Sequence, residues 1–208
     1  MSLIGRRQVF TLATAIAALA ATPARAVGAE AAQPVARFTA ALLAGMKAGS
    51  AESFQKRYDG LAPVVNQTFD LQAILQSCVG PRWASLSDSE RDALSKVFAR
   101  FTIASWVANF NRFNGERFEV EPDARAVGDE EVVATKLVPA DGNDPQRIDY
   151  VMRRTDAGWR AVDVLLDGSI SRVAVQRSDF RALLADGVPA LIASLQQKAA
   201  ELAGGEAT

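Results

Sequence analysis

The hydrophobic period of this chain changes near Gly115, and that change constrains its fold more than any other feature. From Gln33 to about Gly115, apolar residues recur every three or four positions, the spacing of helices. Turn signals at Gly49-Ser50, Gly60 to Pro63 and Gly80-Pro81 divide the run into about four helices. Beyond Gly115 the period is two. "RFEVEP" sets Phe118 and Val120 on one face, "EVVATKL" alternates Val133, Thr135 and Leu137, and "RIDYVMRR" alternates Ile148, Tyr150 and Met152. The links "PADGNDPQ" and "TDAG" are short and rich in turn formers, so residues 116–175 read as an antiparallel meander of about four or five strands. Two closing helices follow over about residues 178–203, split at Gly187, with Pro189 placed to start the second. Phe180, Leu183, Leu184, Leu191, Ile192 and Leu195 give them an apolar face. The predicted class is α+β: a curved antiparallel sheet wrapped by N-terminal and C-terminal helices.

The first residues, "MSLIGRRQVFTLATAIAALAATPARA", place the basic pair Arg6-Arg7 before an apolar stretch from Val9 to Ala21, then Pro23 and a small-x-small ending at Ala26. That order is a secretory signal peptide over residues 1–26. The apolar stretch is well short of the roughly 20 residues that a membrane-spanning helix needs. Adjacent arginines leave both the general secretory and the twin-arginine routes open. The expected mature protein is one domain over residues 27–203: a helical part at about 33–115, the sheet at about 116–175, and the closing helices at about 178–203.

Absences exclude whole chemistries. The chain has no histidine and a single cysteine, Cys78, so it has no Ser-His-Asp triad, no histidine-activated thiol and no imidazole-based metal site. A lone cysteine forms no internal disulfide. Lys and Arg number 23 against 24 Asp and Glu, with no basic tract, so nothing points to nucleic acid. No cofactor and no metal are expected.

The best-marked helix opens at "SLSDSERDALSKVFARFTIASWVANFNRF", where Ser87 and Glu90 stand at capping-box spacing and the helix can run to about Asn111. It carries two apolar stripes. One is Leu94, Val97, Phe98, Phe101, Ala104 and Ala108; the other is Ile103, Trp106, Phe110 and Phe113. A helix apolar on two sides must touch two things: it is either sandwiched in an ordinary core, or one stripe lines a cavity.

The C-terminal order of a tryptophan, "VDV", "DGSIS", Arg-x-x-Phe and a helix ending in Gly resembles the signature of the Mla-type periplasmic phospholipid-shuttle family, also called the toluene-tolerance family. Upstream, "FDLQAILQSCVGPRWASLSDSERDALSKVFARF" is similar to the family's Phe-Asp, Gly-x-x-Trp, Ser-x-x-Glu-Arg and Phe-rich helix, so the likeness spans about residues 33–200. Trp106, Phe110 and Phe113 stand where shuttle members carry tyrosine, closer to the hopanoid-associated branch. The resemblance implies a fold akin to nuclear transport factor two with a deep apolar pocket. It also implies a periplasmic carrier, read here as a monomer, that takes phospholipid or a hopanoid-type lipid between an inner-membrane ABC transporter complex and an outer-membrane lipoprotein complex.

Two acyl tails of about thirty methylenes, at about 0.8 kcal/mol each, lose about 24 kcal/mol when drawn into water, so a carrier must enclose them. The candidate lining is Phe98, Phe101, Ile103, Trp106, Phe110, Tyr150, Met152, Val162, Val164 and Leu166, although each taken singly reads as well as ordinary core. Arg177 and Arg181 are candidates for a lipid phosphate or are solvated helix-start residues. Lipid exchange needs no catalytic residue. Two rival readings remain: an enzyme using Asp163 and Tyr150 for proton transfer, and an envelope adaptor that carries nothing. Strict alternation puts Trp159, Ala161, Asp163 and Leu165 on one face and Val162, Val164 and Leu166 on the other. Asp163 then points away from cargo, held by backbone amides, by the Ser169 or Ser171 hydroxyl, or by Arg177.

Overall fold

The computed structural model describes residues 24–204, with side chains from residue 28 onward, so residues 1–23 of the expected signal peptide lie outside the described residues. Helix α1 (Ala24–Ala48) begins ahead of the period that marks it, because its opening residues are rich in alanine, which favours helix without amphipathic patterning. It is followed by α2 (Phe54–Thr68), α3 (Leu71–Val79) and α4 (Asp88–Asn109). Each of the last three is capped by the residue before it. Ser53 accepts from the Lys56 amide and Asp70 from the Ala73 amide. Ser87 and Glu90 close the expected capping box, the Glu90 carboxylate accepting the Ser87 amide at 2.9 Å.

Among the described residues the antiparallel sheet has seven strands, more than the period reveals. They are β1 (Arg117–Val120), β2 (Arg125–Val127), β3 (Glu130–Val133), β4 (Thr135–Val138), β5 (Gln146–Thr155), β6 (Gly158–Leu166) and β7 (Ile170–Ser171). β2 and β7 are too short to show an alternation. The run read as one strand through "EVVATKL" breaks at Ala134, so that β3 pairs with the far half of β5 while β4 pairs with its beginning and with β1. β6 covers the other edge of β5. Helices α5 (Arg172–Ala185) and α6 (Val188–Gly204) close the fold, separated at Gly187, whose φ of +97° suits glycine. α5 starts within the segment expected to be sheet. The Ser171 side chain accepts from the Ala174 amide, and this cap overrides the β preference of Val173 and Val175.

β6 departs from strict alternation. Tyr150 faces Val164 and Val151 faces Asp163, yet the next partner of Met152 is Ala161, so Val162 is an extra residue at a β-bulge. The bulge moves Ala161 and Trp159 onto the face of Val164 and Leu166 and takes Val162 off it. The two-face grouping read from the sequence therefore holds only on the C-terminal side of the bulge.

Asp163 fastens this strand to α5. Its Oδ1 accepts the Val164 amide at 2.7 Å and the Val173 amide at 3.0 Å, and its Oδ2 accepts the Ser171 hydroxyl, which in turn caps α5. Of the partners expected for it, Ser171 and backbone amides are the ones used; Ser169 and Arg177 are not among its bonds. Removing the carboxylate takes the partner from the Val164 amide in β6 and from the Val173 amide at the start of α5. Asp163→Ala should lower unfolding free energy by about 1–3 kcal/mol, read by urea denaturation. An unchanged midpoint would contradict the fastening role.

A candidate apolar ligand cavity

Between α4 and the sheet the packing stays open. Phe98, Phe101, Thr102, Ser105, Trp106 and Asn109 recur at spacings of three and four and put one face of α4 along a cavity of about 660 Å³. The facing wall is Ile148, Val164 and Leu166 of the sheet, and the end walls come from Ile74 of α3 and Val173 of α5. Exposed polar groups, among them Arg112, Gln146 and Arg172, surround the opening. The arrangement is an apolar interior with a polar rim, the form of a site that takes a ligand with a greasy body and a polar end.

Of the residues expected to line a pocket, Phe98, Phe101, Trp106, Phe110, Val164 and Leu166 do so. Ile103, Tyr150, Met152 and Val162 do not, and each has a reason. Ile103 is 3% exposed and lies on the opposite side of α4 with Val107, in the packing between helices. Tyr150 and Met152 point to the cavity side of β5, but α1 lies over that half of the sheet. Phe38 and Phe69 cover Tyr150 with ring centroids 6.0 Å and 6.2 Å away. Val162 is displaced by the bulge. Phe113, the last member of the second stripe, falls beyond the end of α4 and is exposed beneath Lys47.

The lining also contains residues that the sequence alone does not single out. Ile148 shares the alternation of Tyr150 and Met152 and was there to be found. Thr102 and Ser105 carry helical spacing but are polar; the Ser105 hydroxyl donates to the Phe101 carbonyl at 2.8 Å, while the buried Thr102 hydroxyl has no partner. Met46, Phe69 and Ile74 reach the cavity from three separate segments, which only the tertiary fold reveals. At the rim, the arginines are Arg112 and Arg172; neither Arg177 nor Arg181 lines the cavity, and Arg177 lies against Gly80.

Asp163 does touch the cavity, contrary to the strict-alternation reading, but its oxygens are committed to Ser171, Val164 and Val173. The Tyr150 phenol is fully buried and its hydroxyl has no partner. No hydrogen bond joins the two groups, so they do not form an acid–base pair. Burial pushes the Cys78 thiol up to about 12, reinforced by the nearby Asp163 charge and opposed by Arg177, which leaves it inert rather than nucleophilic.

Fold and site together define a small α+β protein built around an apolar cavity with a polar mouth. The chain belongs to the MlaC protein family, whose model matches residues 36–197. Its fold is similar to that of a phospholipid-binding protein from Ralstonia solanacearum, solved in complex with a phospholipid, with a TM-score of 0.71 over 84% of this chain and 99% of that one at 19% sequence identity. No curated protein matches the sequence significantly.

Tyr150 supplies a test of the core beside the site. Burial raises its pKa above the ordinary value of 10.0. The folded protein therefore holds the phenol protonated, and the stability this contributes is present below pH 10 and lost as pH rises above it. Tyr150→Phe should leave stability at pH 7 unchanged or raised, since the lost hydroxyl had no partner, and should lessen the loss above pH 10. Thermal denaturation across that range reads both effects, and a variant destabilised at pH 7 would show that the hydroxyl is bonded.

Proposed function

We propose that the protein is a lipid carrier that holds the acyl part of a phospholipid or hopanoid-type lipid in the cavity between α4 and the sheet. One observation carries the reading: α4 turns an aromatic face toward a cavity of about 660 Å³ instead of packing it shut. Leaving apolar surface uncovered forfeits about 25 cal/mol for each Å², which a carrier recovers whenever cargo enters. Membership of the MlaC protein family and the phospholipid in the structural relative support the same reading.

On this reading the chain works in the periplasm after its signal peptide is removed. It is a monomeric carrier that passes lipid between an inner-membrane ABC transporter complex and an outer-membrane lipoprotein complex. Transfer requires only that the pocket release its load at a docking partner, so no catalytic group is involved, in keeping with the lack of a hydrogen bond between Asp163 and Tyr150.

Organic extraction of the purified mature protein followed by mass spectrometry tests the proposal. The expected result is about one equivalent of lipid per chain, whose headgroup or polycyclic skeleton distinguishes phospholipid from hopanoid. A lipid-free extract, with no uptake from vesicles, would sink the carrier reading in favour of an adaptor.

A further inference from the structure

Several arginines of the sheet are engaged by acids. Arg147 donates to the buried Asp149 carboxylate at 2.7 Å and 3.0 Å, Arg153 meets Glu130 at 2.6 Å, and Arg117 meets Glu119 at 2.8 Å. The two arginines at the cavity mouth are not engaged. Arg112, just beyond α4, and Arg172, the first residue of α5, are both exposed and both line the cavity. Neither guanidinium has a hydrogen bond, an ion pair or a ring contact with another described residue.

The acids of the same lining are committed elsewhere. Asp163 is held in the joint between β6 and α5, and Glu116 accepts the Asn114 backbone amide at 2.6 Å and its side-chain amide at 3.4 Å. At the start of α5 the Val173 amide is taken by Asp163 and the Ala174 amide by Ser171, so an anion at the mouth is left to the side chains. Asn109 and Gln146, exposed in that lining, have side-chain amides without a partner among the described residues. The opening thus offers two free cations and two free amides above an apolar interior.

We propose that Arg112 and Arg172 hold the phosphate of a lipid whose tails fill the cavity, so that the mouth selects cargo by its phosphate. A guanidinium presents its donors in a planar fork that fits phosphate oxygens, and such charge-assisted bonds are roughly twice as strong as neutral ones. Two like charges at one opening repel, and a phosphate shared between them replaces that repulsion with attraction. Asn109 and Gln146 are then available to the polar remainder of the headgroup. A hopanoid-type lipid without phosphate gains nothing from the pair. This inference rests on the carrier reading and names the headgroup chemistry that the carrier selects.

Arg112→Gln, Arg172→Gln and the double variant test it, with Arg181→Gln, an exposed arginine outside the cavity lining, as the control. All should fold, since none of these guanidiniums has a partner to lose. Binding is measured with dioleoyl phosphatidylglycerol and with dioleoylglycerol, which has the same tails and no phosphate, each labelled with a fluorophore on one tail. Wild type should bind the phosphatidylglycerol about tenfold more tightly; each single variant should lose part of that preference and the double variant nearly all of it, with dioleoylglycerol binding unchanged. Added salt should narrow the wild-type preference, because the two charges are exposed. A wild type without the preference, a double variant that keeps it, a preference insensitive to salt, or an Arg181→Gln variant that loses as much of it overturns the phosphate site and leaves the carrier reading intact. A wild-type protein that binds neither lipid overturns the carrier reading and the phosphate site with it.

Discussion

Helix α4 is apolar around more of its circumference than its neighbours cover, and the rest of the structure follows from how that surface is divided. Leu94, Val97, Ile103, Ala104 and Val107 are buried against protein. Phe101 and Trp106 are left half-exposed toward the cavity. An apolar lining of this kind with a polar rim is the form of a small-ligand site. The sheet supplies the opposite wall without closing it, because α1 lies over the Tyr150 end and leaves the Ile148 end open.

That partial covering depends on the position of β6. Asp163 ties the strand to the first turn of α5, whose Val173 and Gln176 form one end of the cavity. The bulge at Val162 lets Ala161 pack inward, so that the Asp70 amide can donate to the Ala161 carbonyl at 2.9 Å and bring the start of α3 against the strand. A carboxylate that first looks like a catalytic group is thus a structural fastener at the edge of a binding site. Its oxygens bond Ser171, Val164 and Val173, all of them within the joint between β6 and α5.

Much of this was legible in the sequence where a periodic signal was long and local. The change of period at Gly115, the Ser87–Glu90 box and the break at Gly187 all correspond to features of the fold. Spacing of about one helical turn along α4 marked Phe98, Phe101, Trp106 and Phe110 as candidates, and all four line the cavity. What could not be read was set by contacts between distant segments. Nothing near Tyr150 reveals that Phe38 and Phe69 cover it, and strict alternation cannot reveal a bulge at Val162. The two-residue β7 and the helix start at Arg172 compete within a segment whose valines favour strand, and a single serine cap decides between them.

The central claim is that acyl chains lie inside the molecule, between α4 and the C-terminal half of β6. A phospholipid bearing a photoactivatable diazirine near the end of one tail tests it directly. After loading, irradiation and peptide mapping, the account predicts labelling of residues 98–110 and 164–166, with Phe101, Trp106 and Val164 foremost. Labelling confined to the outer charged face of the sheet, around Arg153 and Glu130, would contradict it.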